Sequence, residues 1–390
     1  MKNPSRWLLM LALVLAAINL RPGITSFAPL IERIAHELNL SRSLISLTTA
    51  LPVLLMGLLA PLAPRLAVRF GLERTISLCL GLIGLALMLR LLGDNPVILI
   101  GTAAMVGAGI AVTGPLLSGF IKRYFLDRIG KTAAFYSLSM AVGGTIGVVL
   151  TAPATQLLGE RWTMGLAIWS IPAILAVMLW WRLPNQPEAA VERRAGLPWR
   201  EPRAWLVSIY FALQAGLFYA LATWLVARYH EAGFSLLQSN TFFSGFMLIG
   251  LPSAFAMPWL AQRFGKRHLL MAACGAMATA SLLIIAWVPQ VQPLVVCMVL
   301  GIALNGTFSM SLVLPMYEAS TPLAVSRLTA MMLCTGYCLA CLSPVLTGLG
   351  RDIAGDYRWP FLILASMAAV MTVLALRLAP RRDSAAATGT

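Results

Sequence analysis

Charge is scarce in this sequence, and acid is scarcer still. Of 390 residues only 14 are Asp or Glu, against 29 Lys plus Arg, and charged residues of all kinds make up 11%. A soluble domain carries about 25%, so a water-facing globule is excluded. Histidine is nearly missing too: His36, His230 and His268 are all there is, none in the middle of an apolar run. Those two shortages argue against a membrane-embedded enzyme, since there is no nucleophile–base pair, no HExxH segment and no set of intramembrane carboxylates. The six cysteines (Cys79, Cys274, Cys297, Cys334, Cys338 and Cys341) lie inside apolar runs, so no structural disulfide is expected. Cys334, Cys338 and Cys341 recur at i, i+4 and i+7, a spacing a soft metal could use. Only Met331 is placed to complete such a set, and we read the three as small residues at a helix interface, with no metal and no cofactor.

What is abundant is apolar sequence: 59% hydrophobic residues and a mean hydropathy of +0.83. Runs of about 20 such residues are long enough to span a bilayer. Twelve occur, in windows 7–35, 43–67, 75–92, 97–121, 132–158, 162–182, 204–229, 235–261, 269–288, 293–317, 328–349 and 359–378. They are numbered here as spans 1 to 12, and the expected fold is an all-α membrane protein. Lys2 and Arg6 ahead of an apolar core also begin a secretory signal, but no clean cleavage site follows, so span 1 is read as retained. A net charge of +15 could suggest nucleic acid, yet the bases are scattered between spans rather than gathered on one element. The expected partners are a small-molecule substrate and the lipid bilayer, with the chain acting as a monomer.

An even number of spans puts both termini on one side. That side collects 21 Lys plus Arg and the other collects 7, which places both termini in the cytoplasm and the protein in the inner membrane. The one long hydrophilic stretch, 182–205, has four prolines and mixed charge, the composition of a linker. The expected organisation is a six-helix bundle over 1–182, a linker over 183–203, a second bundle over 204–379 and a tail over 380–390. Internal repeats agree. "PRLAVRFG" at 64–71 matches "PWLAQRFG" at 258–265, and "GIAVTG" at 109–114 matches "GIALNG" at 301–306. Parallel repeats of this kind build carriers whose central site opens alternately to each side.

The loops "RFGLER" and "RFGKRH" resemble the signature of the major facilitator superfamily between helices 2 and 3 and between helices 8 and 9, and the resemblance extends over essentially the whole chain. It implies that Arg69, Gly71 and Arg74, with Arg263 and Gly265, close the cytoplasmic face, the glycines serving turns that need positive φ. The acid usual before the first arginine is Val68 here and Gln262 in the second copy. More narrowly, "LRPGITSFAPLI", "GIAVTGPLLSGFIKRYF" and "TGYCLACLSPVLTG" resemble the cyanate transporter and 2-nitroimidazole exporter branch. That implies a carrier of small compact solutes, the alternative being a broader drug or metabolite efflux carrier in which Arg21 is structural.

Arg21 interrupts span 1 about 21 Å beyond Trp7 at helical rise, past the middle of a core about 30 Å thick. Facing lipid there would cost at least about 2.5–3.5 kcal/mol, so it should face protein or a water-filled cavity, as a fixed cation for an anionic or strongly dipolar solute. The repeat pairs Arg21 with Gln214 and Thr113 with Asn305, four polar residues inside apolar spans. Pro22 and Gly23 should loosen the helix beside Arg21. Tyr136, Tyr337 and Phe218 are the aromatic candidates against a planar solute. Glu32 and then Glu318 are the acids best placed to couple transport to protons.

Overall fold

The computed structural model describes residues 5–38, 42–93, 95–185 and 196–379, and the regular structure among them is helical. Eleven helices are long and apolar enough to cross a membrane: Arg6–Thr25, Leu72–Leu92, Pro96–Tyr124, Leu126–Leu157, Trp162–Trp181, Pro202–Glu231, Leu237–Phe264, Arg267–Trp287, Pro293–Glu318, Pro322–Ala354 and Arg358–Arg377. The twelfth, span 2, is a bent pair, Ala50–Leu58 and Leu62–Phe70, inclined at 64°. Its break is set by Pro61, which has no N–H to donate to the carbonyl four residues back. Most of the linker (186–195) and the tail from 380 lie outside the described residues.

By contacts the chain falls into two compact units. One comprises Met1–Arg200 with Leu312–Cys338, the other Glu201–Ser311 with Leu339–Thr390. In the first unit, span 1 runs as a helix over Arg6–Asn19, stops, and restarts as Pro22–Thr25. Trp180 of span 6 donates its indole N–H to the Ala12 carbonyl at 2.9 Å, and Asn19 donates to the Pro172 carbonyl at 3.1 Å. These two bonds fix the lower part of span 1 against span 6. Span 4 starts sharply because Asn95 accepts the Val97 N–H at 2.8 Å and Pro96 takes the first helical position, where no N–H is needed.

The second unit is tied by arginines at helix ends. Arg203 donates to the carbonyls of Arg377 and Ala379 at 2.7 and 2.9 Å. Arg228 donates to those of Ile285 and Ala286 at 3.1 and 2.8 Å. Each cation thus takes carbonyls at or just beyond a helix end, where the helix leaves them without partners. The turns after spans 2 and 8 both carry a glycine at positive φ, +87° at Gly71 and +65° at Gly265.

Candidate functional site

The break in span 1 is received by three glycines of span 5. Pro22 offers no N–H to the Ile18 carbonyl, and Gly143 lies directly against that carbonyl. Gly147 abuts the Thr25 hydroxyl and the Pro22 backbone, and a Cβ at Gly144 would sit 3.6 Å from the Arg21 Cβ. A stripe without side chains therefore lets the irregular turn approach span 5 at backbone distance. Arg21 itself is half-buried, with φ −114° and ψ −41° at the start of the short helix. Its guanidinium acts electrostatically on Tyr136 of span 5 and on Tyr337 of span 11. Both tyrosines are buried, at 2% and 4% exposure. The first unit thus brings together one cation and two neutral phenols beside a broken helix.

Thr113 belongs elsewhere in that unit. Its hydroxyl donates to the Gly109 carbonyl at 2.8 Å, and Gly109, one turn away on the same face, lies against Ile83 and the Cys79 carbonyl of span 3. In the second unit Gln214 is wholly buried and donates to the Leu304 carbonyl at 3.1 Å, while its Oε1 has no hydrogen-bond partner. Asn305 donates to the Gly301 carbonyl at 3.0 Å and packs on Gly250. Phe218 stands 6.2 Å from the Phe246 ring, centroid to centroid. Glu32 falls in the helix Ile31–Glu37, but its side chain is outside the described residues. Glu318 is the last residue of span 10 and is half-buried.

The turn between spans 2 and 3 is organised by a residue the sequence reading passed over. Asn185, at the start of the linker, donates to the Phe70 carbonyl at 2.8 Å and accepts the Arg74 N–H at 3.3 Å. Gly71 abuts its amide, so a Cβ there would collide with it. The Arg74 guanidinium covers the Trp181 ring at 4.0 Å. Arg69 is exposed near Phe70, and Arg263 lies 5.5 Å from the Trp259 ring. Glu73, within the RFGLER motif, is 1% exposed and takes Arg123 at 3.0 Å and the Tyr124 hydroxyl at 2.9 Å. No acid at position 68 is needed for a carboxylate to be held at this end of the bundle. Beside it Lys122 donates to the Met316 carbonyl at 2.9 Å, and Gly119 lies against Ser326 and the Pro322 carbonyl. Span 4 is therefore sealed against the 316–326 segment.

The other end of the first unit is held differently. Arg33 pairs with Glu37 at 2.7 Å and with Glu160 at 3.5 Å, and Trp162 donates to Glu37 at 2.6 Å. Among the described residues no group of three or more His, Cys, Asp or Glu is placed to hold a metal ion.

A profile of the Major Facilitator Superfamily matches residues 8–341. The chain is 31% identical over 377 residues to the cyanate transport protein CynX of Escherichia coli (strain K12), covering 96% of this chain and 98% of that protein. It is 27% identical over 382 residues to the 2-nitroimidazole transporter of the same organism, covering 96% of each. Among solved structures, the E. coli fucose:proton symporter FucP superposes with a TM-score of 0.75 at 14% identity, over 96% of this chain and 98% of that one. That last likeness is one of fold.

Proposed function

The chain belongs to the major facilitator superfamily and is a secondary transporter, and we propose that its cargo is a small compact solute, an anion of the cyanate type or a nitro-heterocycle, with Arg21 as the charge partner. The observation that carries this reading is the half-buried Arg21 at the broken turn of span 1, seated against Gly144 of span 5 and within electrostatic reach of the buried Tyr136 and Tyr337. A guanidinium presents a planar fork of donors that matches a carboxylate-like, nitro or N–C–O group. Two buried phenols add hydrogen-bond donors and flat apolar faces without adding negative charge. That combination suits a small planar anion better than a sugar or a cation. Relatives named for cyanate and for 2-nitroimidazole transport carry, by those names, solutes of this size and shape. On the repeat alone, Gln214, Asn305 and Thr113 are the further candidates for polar contacts, and Phe218 for an apolar one.

Transport proceeds by alternating access. Arg69, Gly71 and Arg74 in one turn and Arg263 and Gly265 in the other are assigned to closure of the cytoplasmic mouth, a reading supported by the seal of Lys122 on the Met316 carbonyl. The 21-to-7 distribution of basic residues supports cytoplasmic termini in the inner membrane. Glu32 is the first candidate for a coupling proton and Glu318 the second.

The test is counterflow of labelled cyanate and of labelled 2-nitroimidazole in proteoliposomes, for wild type, Arg21→Ala and Arg21→Lys. Saturable counterflow is expected for wild type, strong loss for Arg21→Ala, and a clear defect for Arg21→Lys, because an ammonium cannot reproduce the fork. Wild-type half-saturation in Arg21→Ala would make the arginine structural and end this reading.

A further inference from the structure

Arg90 is one of the seven basic residues that the charge distribution assigns to the side opposite the termini, and the structure turns it inward instead. It begins the 3-10 turn Arg90–Leu92 that ends span 3, and its side chain is 0% exposed. Its Nη2 donates to the Gly23 carbonyl at 2.7 Å. The guanidinium carbon stands 4.4 Å over the Phe27 ring, which belongs to an apolar cluster with Leu30, Ile34, Leu99, Trp162 and Leu166. Nε and Nη1 have no hydrogen-bond partner, and no carboxylate among the described residues pairs with it.

The acceptor is as telling as the donor. Helix Pro22–Thr25 ends within one turn, and the Phe27 N–H goes to the Ile24 carbonyl at 3.4 Å. The Gly23 carbonyl is left over from the helix, and Arg90 takes it. Gly23 is two residues beyond Arg21, and Val106 of span 4 closes the space on its other side, 2.7 Å from where a Cβ would stand. A buried guanidinium with one neutral acceptor and one ring is poorly compensated for leaving water. Its contribution is therefore to geometry rather than to folding free energy.

We propose that Arg90 is a positioning residue for cargo recognition: it clamps the Gly23 carbonyl and thereby fixes the turn that presents Arg21. This rests on the reading of Arg21 as charge partner. The clamp itself has a readout that needs no cargo. In Arg90→Met the amides of Ile24 to Phe27 should exchange with deuterium about tenfold faster or more, whereas Arg90→Lys, which keeps a donor and the charge, should stay within about threefold of wild type.

With labelled cyanate, Arg90→Met should raise the half-saturating concentration about tenfold while the maximal rate and the melting temperature change little. Combined with Arg21→Ala it should add nothing further, because it acts through Arg21. A merely structural residue would lower the melting temperature and add independently. Unchanged exchange at 24–27 in Arg90→Met, or full additivity with Arg21→Ala, overturns the proposal for Arg90 and leaves the Arg21 reading standing. If Arg21→Ala alone leaves half-saturation unchanged, the Arg21 reading fails and the role of Arg90 in recognition goes with it. The exchange result would still judge the clamp.

Discussion

Gly143 and Gly144 are neighbours on span 5, and replacing each by alanine should have opposite consequences. Alanine at 144 would bring a Cβ 3.6 Å from the Arg21 Cβ and 3.9 Å from its Cγ, ordinary van der Waals contact. The helix then gains the usual advantage of alanine over glycine, about 0.5–1 kcal/mol. Alanine at 143 meets backbone instead: the Ile18 carbonyl oxygen, its carbon at 2.9 Å and its Cα at 3.0 Å. No rotamer can relieve that, so span 1 must move. Overpacking of this kind costs about 1–3 kcal/mol, and subtracting the helix-propensity gain leaves a net loss of up to about 2.5 kcal/mol. The assays are thermal unfolding in detergent and labelled-cyanate counterflow. Gly144→Ala should unfold at or above the wild-type temperature, and Gly143→Ala below it with impaired counterflow, because the turn carrying Arg21 is displaced. If the two variants behave alike in both assays, the broken turn of span 1 is not seated on span 5.

Gly71→Val should lower the maximal transport rate more than it weakens cargo binding, since φ of +87° is strained for a branched residue and Asn185 occupies the Cβ position; equal loss of both, measured by counterflow and equilibrium binding, would count against it. Glu73→Gln removes the carboxylate that faces Arg123 and should destabilise the protein by up to about 3–5 kcal/mol, the cost of breaking a buried pair from one side. Thermal unfolding indistinguishable from wild type would show that Arg123 finds another partner. Gln214→Ala removes a neutral bond to the Leu304 carbonyl and should be milder than Arg21→Ala in half-saturation, by an amount matching about 0.5–1.5 kcal/mol. A loss as large as that of Arg21→Ala would contradict the ranking.

The spans were legible because each is a local property of about 20 consecutive residues, and a bilayer admits few other solutions. The break at Arg21 was legible for a similar reason, since a cation followed by Pro22 and Gly23 violates the helix rules within three positions. Gly71 and Gly265 announced their turns through the repeat, and both have positive φ. What the sequence could not convey was register between distant helices. Glu73 sits in a loop motif among basic residues and reads as solvated, yet the ends of spans 3 and 4 meet so that Arg123 and Tyr124 enclose it. Asn185 reads as linker, and only the approach of span 6 to the 2–3 turn makes it a cap for both Phe70 and Arg74. Arg90 was misplaced because charge counting assigns residues to sides of the membrane, and a guanidinium at a span end can turn inward toward a carbonyl that a broken helix has left over.

The two ends of the first unit are held by different chemistry. At one end Arg33, Glu37, Glu160 and Trp162 form a network of charged and charge-assisted contacts at 2.6 to 3.5 Å. At the other, span 4 meets the 316–326 segment through a bond from Lys122 to a neutral carbonyl and the close fit of Gly119. One such bond has a net worth of about 1.5–3 kcal/mol at most, and water replaces it readily once the segments part. The Glu73–Arg123–Tyr124 cluster lies entirely within spans 3 and 4, so separating span 4 from residues 316–326 leaves it intact. Parting span 4 from that segment therefore exchanges the Lys122 bond for hydration and leaves the Glu73–Arg123 ion pair made. That is the energetic condition a gate must meet if its open and closed states are to be separated by only a few kcal/mol.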